Sequence, residues 1–112
     1  MRILKLHPLM TVSLLQMQVR QLLHCNVVVY HTSQLAYAWE TLRDTGFEGD
    51  EMTEYPIDET MSVREFEMMI EDRFNISLEL SNQRESPFSN KSLKLYQLTA
   101  GNTSSPGREC RA

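Results

Sequence analysis

Residues 11–30 read TVSLLQMQVRQLLHCNVVVY, and residues 62–81 read SVREFEMMIEDRFNISLELS. Sliding the chain along itself by 51 positions lays Met10-Thr11-Val12 on Met61-Ser62-Val63, Leu15 on Phe66, Met17 on Met68, Val19 on Ile70 and Leu23 on Phe74. Without a gap, Cys25, Val27 and Val29 then fall on Ile76, Leu78 and Leu80. Roughly twenty positions keep their apolar or polar character in this register, the mark of an internal repeat. Val12, Leu15, Val19, Leu22 and Leu23 recur at helical spacing, as do Val63, Phe66, Ile70 and Phe74, so each copy opens with an amphipathic helix. Thr11 and Ser62 stand where an N-cap oxygen would accept the free amides of the first turn. Glu65, three residues after Ser62, completes a capping box.

Each helix runs straight into a strand. Asn26–Tyr30 is almost wholly apolar and predicts a strand covered on both faces. Ile76–Leu80 alternates with Ser77 and Glu79 and predicts a strand with one wet face. Before the helices lie two more strand candidates, Arg2–Leu6 and Thr53–Ile57, the second marked as an edge by Pro56. After each helix–strand pair comes a shorter helical segment, near Leu35–Arg43 and near Lys91–Leu98. Gly46, Gly49 and the acids Glu48, Asp50 and Glu51 make the connection between copies. The expected fold is therefore α/β, with α+β as the alternative. A tandem β-α-β-α repeat (residues 2–48 and 53–99) forms one four-stranded, mainly parallel or mixed sheet with helices packed on it. Residues 1–100 make a single domain, because halves this small share one core, and residues 101–112 read as a flexible C-terminal tail.

These residues resemble a group of small uncharacterised bacterial proteins frequent in gut anaerobes. Their recurring unit is Thr-Val-x-x-Leu, a short helix, Phe-Gly-Val-x-Ile-x-Val-Tyr and a Thr-Leu-x-x-x-Arg-like stretch. Thr11-Val12-Ser13-Leu14-Leu15, Leu23-His24-Cys25-Asn26-Val27-Val28-Val29-Tyr30 and Thr41-Leu42-Arg43 look like one copy. Ser62-Val63-Arg64-Glu65-Phe66 and Phe74-Asn75-Ile76-Ser77-Leu78-Glu79-Leu80 look like another. The resemblance spans about residues 2–99 and implies the fold; it carries over no catalytic residues. His24 and Asn75 replace the glycine usual after the helix, which puts the turn geometry there in question.

Composition narrows the function. With 112 residues, 41% hydrophobic and 23% charged, the chain has the make-up of a globular protein and not of a disordered or collagen-like one. No apolar run is long enough for a spanning helix. Pro8, Ser13, Gln16, Gln18 and Arg20 interrupt what would be the core of a signal peptide, so the expected location is cytoplasmic. The net charge of −4 is segregated: residues 1–39 hold only Arg2, Lys5 and Arg20, while residues 40–80 hold thirteen acids against Arg43, Arg64 and Arg73. Such a field disfavours direct nucleic-acid binding. Cys25 in an apolar run and Cys110 in a polar stretch have no CxxC partner. His7, His24 and His31 show no metal-ligand spacing, and no phosphate-cradling or nucleophile-elbow motif is present, so neither a metal, a cofactor nor a catalytic residue is expected.

What remains is surface. Met17, Met68 and Met69 lie beside the helix stripes, and Met17 and Met68 fall off them. With Trp39 they form the expected partner-contact surface, methionine being adaptable and tryptophan a strong anchor. Tyr37, beside Trp39, and Tyr30 on the preceding strand make a similar case, as core aromatics or as interface anchors. Glu48, Asp50, Glu51 and Glu54 form a candidate acidic surface. The expected function is a non-catalytic protein–protein interaction module whose partner is another protein or a second copy in a homodimer. Two other readings stand beside it: an acidic nucleic-acid mimic that inhibits a nucleic-acid-binding protein, and a small enzyme with an unrecognised pocket.

Overall fold

A computed structural model of the protein describes residues 2–82 and 91–98. The elements run β1 (Ile3–Leu6), α1 (Val12–Leu23), β2 (Asn26–His31), β3 (Gln34–Leu35), β4 (Thr53–Pro56), α2 (Val63–Phe74) and β5 (Ser77–Ser81). Residues 95–98 add a short helical segment. This is a mixed α/β fold, and both of its sheets are antiparallel: β1 with β4, and β3-β2-β5.

The helices form where local chemistry places them. Thr11 Oγ1 accepts from the Leu14 amide at 3.3 Å, and Ser62 Oγ accepts from the Glu65 amide at 3.1 Å. Glu65 Oε1 returns a bond to the Ser62 amide at 2.8 Å, so the capping box closes. Each helix buries its stripe: Val12, Leu15, Val19 and Leu23 on α1; Val63, Phe66, Ile70 and Phe74 on α2. Both end on a residue in the left-handed region, His24 at φ 57° and Asn75 at φ 58°. The turn geometry that a glycine would favour is thus kept without one, and Asn75 Nδ2 fastens it by donating to Gly46 O at 3.0 Å. Gly46 itself, at φ 112°, lies so close to Asn75 O that a Cβ would stand 3.1 Å from it.

The four-stranded, mainly parallel sheet built from tandem repeats is not what forms. β1 and β2 flank the same helix but belong to different sheets; β1 pairs with β4 and β2 with β5, both from the other half, while β3 pairs with β2 of its own half. In the first ladder Leu4 faces Tyr55; in the second Val28 faces Glu79; both pairs are 51 residues apart. Both ladders between the halves are antiparallel, and among the described residues no two strands pair in parallel. β2 is also less enclosed than expected: Val27 and Val29 are buried, while Val28 and Tyr30 are half-exposed.

The helical segment expected near Leu35–Arg43 is absent; β3 and a run of turns occupy it. This stretch instead closes the start of α1. The first helical amides have no partner inside the helix, and here Val12 N donates to Glu40 O at 2.8 Å and Ser13 N to Ala38 O at 3.0 Å. The start of α2 is closed alike, Val63 N by Leu93 O at 2.8 Å and Arg64 N by Lys91 O at 3.0 Å. Leu42 and Leu95, both fully buried, donate to Met10 O and Met61 O at 2.8 and 3.0 Å. One core results, running from Leu4 and Leu6 through both helix stripes to Ile76, Leu80 and Leu98. Tyr55 sets its edge to Phe74 at 6.1 Å, and the Arg73 guanidinium lies 5.5 Å above the Tyr55 ring.

Sheet edges are partly taken by helix side chains. Gln18 clasps the backbone of Lys5, accepting from its amide at 3.0 Å and donating to its carbonyl at 2.7 Å. Gln16 Nε2 donates to Val27 O at 3.1 Å, and Glu67 Oε2 accepts from Leu80 N at 2.8 Å. Such clasps occupy groups that would otherwise template another strand.

Candidate interaction site

The chain from His31 to Glu40 leaves β2 through a tight turn at Thr32 (φ 58°), runs back as β3 and climbs to the start of α1. Ala36 N donates to Val29 O at 2.8 Å, and Glu40 N to Tyr37 O at 3.1 Å. The Glu40 side chain is buried. Its Oε1 lies 2.8 Å from His31 Nδ1, and its Oε2 accepts from Tyr37 N at 2.7 Å. One carboxylate therefore ties the end of β2 to the segment that carries the aromatics. Backbone bonds from α1 hold that segment from the other side.

What this frame displays is apolar. Leu35, Tyr37 and Trp39 are 61%, 64% and 71% exposed. The two rings stack 5.3 Å apart and within 5° of parallel. They border an open cleft of about 330 Å³ whose polar wall is His31, Thr32, Gln34 and Glu40. Large rigid rings held in water at a fixed geometry lose little conformational entropy when something covers them. The arrangement is thus suited to docking.

Met68 and Met69 lie elsewhere, on the outward side of α2. With Met61 they floor a groove of about 270 Å³ walled by Glu65 and Asp72. Met68 is 57% exposed, whereas Met61 and Met69 rest partly buried against the core. Met17 is 49% exposed on α1 and lines neither cleft. The expected contact residues are therefore distributed over three surfaces: Trp39 on one, Met68 and Met69 on a second, Met17 on a third. Glu48, Asp50 and Glu51 are exposed in the connection before β4, and Glu54 is exposed on β4 itself.

Sequence reasoning singled out Trp39 and Tyr37 and missed Leu35 beside them. Leu35, Tyr37 and Trp39 recur at every second residue, the period of an extended segment with one face outward. The buried Glu40 carried no such signal.

A second polar cluster joins the two halves. Lys91 Nζ lies 2.9 Å from Glu67 Oε2 and 3.2 Å from Glu79 Oε2, and Tyr30 Oη donates to Glu79 Oε1 at 3.1 Å. Burial opposes the charge on Lys91, but its hydrogen bonds to Glu67 and Glu79 prevail and hold its pKa above the ordinary value. Burial, and then the bond to Glu79, raise that of Tyr30. Burial pushes the Cys25 thiol up to about 12, and the nearby Glu67 charge adds to the shift, so the sulfur is an inert core atom at neutral pH. The cluster thus holds one cation between two carboxylates. Among the described residues no three His, Cys, Asp or Glu side chains gather where a metal could be held. Among those residues, too, no helix is long and apolar enough to cross a membrane.

No protein-family model, curated protein or solved structure matches the chain.

Proposed function

We propose that this chain is a non-catalytic protein–protein interaction module that receives its partner on the Leu35–Tyr37–Trp39 face. The observation that supports the reading is the pair of stacked, exposed rings held in place by a buried carboxylate. An exposed apolar patch rimmed by polar groups is what binding surfaces present, and aromatic anchors dominate their energetics. We further propose that the chain arose by duplication of a strand–helix–strand unit. The matched closure of the two helix starts and the 51-residue spacing in both ladders support this origin.

Trp39 is the single tryptophan of the chain, so its emission reports the site directly. A partner co-purified from the cells that make the protein should move that emission to the blue as the ring is desolvated. Trp39→Ala should weaken the complex about 10- to 100-fold, a hot-spot loss, and leave the thermal midpoint unchanged. A complex that survives nuclease treatment and is lost in Trp39→Ala supports the reading. Equal retention by Trp39→Ala overturns it. The four exposed acids Glu48, Asp50, Glu51 and Glu54 favour the mimic as second reading: its complex would persist in Trp39→Ala and dissolve with salt.

A further inference from the structure

The outward sides of the two helices differ in a complementary way. α1 carries one charged residue, Arg20, and exposes Leu14 and Met17. Leu14, Met17 and Gln21 follow one another at helical spacing, with Arg20 beside them. The guanidinium of Arg20 is propped by Asn26 Oδ1 at 3.3 and 3.2 Å, and no carboxylate pairs with it among the described residues. α2 exposes the opposite character. Glu65, Met68, Met69 and Asp72 make one stripe at i, i+3, i+4 and i+7, with the acids at its two ends. Neither Glu65 nor Asp72 forms an ion pair among the described residues.

We propose that the α2 groove receives α1 of a second copy of this chain, so that the protein self-associates head to tail. Antiparallel docking with Met17 over Met68 brings Arg20 beside Glu65, because each lies three residues away in opposite chain directions. That orientation also sets the helix dipoles favourably. Every assembly keeps one free α1 face and one free α2 groove at its two ends, so the contact does not close on itself and assemblies grow with concentration. Two 12-residue helices offer faces about 18 Å long. A contact of that size belongs with weak, transient interfaces, so association is expected near 10–100 µM and falls with added salt. The inference adds a second copy to the proposed interaction module and uses different residues from the Trp39 face.

Sedimentation velocity across about 5–500 µM tests it. The wild-type chain should gain mass with concentration. Met17→Glu sets an acid against the acidic groove, and Met68→Lys sets a base against Arg20; each alone should weaken association at least about 10-fold. An equimolar mixture of the two should associate again, since one retains an intact groove and the other an intact α1 face. Both positions are half-exposed, and unchanged melting curves confirm folding; Leu14→Glu replaces Met17→Glu if that variant melts early. A wild-type chain that stays monomeric throughout overturns the inference and leaves the Trp39 experiment standing. So does association undiminished in either variant, or a mixture that stays monomeric.

Discussion

Val28 stands directly opposite Glu79 in the β2–β5 ladder, 51 residues further along the chain, and Leu4 stands opposite Tyr55 in β1–β4 at the same separation. Both ladders between the halves thus contain a pair at the same 51-residue separation, and both are antiparallel. The arrangement makes each half depend on the other: β1 lacks a sheet partner without β4, as does β5 without β2.

Val27 lies in the β2–β5 ladder, fully buried and in register with Leu80. Val27→Asp would bury an unpaired carboxylate between the halves, at a cost of several kcal/mol, comparable to the whole stability of a domain of this size. The expected outcome is loss of the folded far-ultraviolet circular dichroism spectrum at neutral pH. A cooperative urea transition with a wild-type midpoint would contradict it.

Ser62→Ala removes the acceptor of the Glu65 amide and breaks the reciprocal box. The expected loss is about 1 kcal/mol, read as a lower urea midpoint with an unchanged slope. Hydrogen bonds from the Ser62 backbone and side chain hold the Glu65 pKa below its ordinary value. Their contribution is present above about pH 4.5 and is lost as pH falls through the lowered folded value. The acid limb of the stability curve should therefore be shallower in Ser62→Ala than in the wild type.

Lys91 is the cation between Glu67 and Glu79, and all three side chains are largely shielded from water. Lys91→Met leaves two neighbouring carboxylates without compensation and should cost about 1–3 kcal/mol, between the values for surface and buried pairs. Adding Glu79→Gln should recover part of that loss. A double-mutant cycle by urea denaturation measures the coupling, and strict additivity would show that the pair does not interact.

Cys25 governs the alkaline side. Its folded pKa, near 12, lies above an ordinary value of 9.0, so the folded state binds the proton more tightly than the unfolded state. The resulting stability is fully present below about pH 9 and is lost as pH rises towards 12. Raised values at Tyr30 and Lys91 act in the same direction. Urea midpoints should fall from pH 9 upward, and less steeply in Cys25→Ala. In a Cys110→Ser background, a thiol reagent at pH 8 should label Cys25 only at the rate of unfolding.

The amino-acid sequence by itself determined the two helices, their caps and four of the strands. Thr11, Ser62 and Glu65 act within a turn of themselves, and the stripes Val12–Leu23 and Val63–Phe74 obey a period set by the helix alone. It also placed Met17 and Met68 at the surface, since each falls outside a buried stripe. Only the tertiary structure decided which strand pairs with which. An apolar strand such as Val27–Val29 carries no mark of its partner or direction, and both halves contributed strands of similar chemistry. Residues 35–43 were illegible for the same reason. Their backbone is held by amides at the start of α1 and by the Glu40 carboxylate, contacts that exist only once the helix and β2 are in place. Local preference chose the elements; mutual satisfaction of unpaired backbone groups across the two halves chose their arrangement, and with it the frame that holds Tyr37 against Trp39.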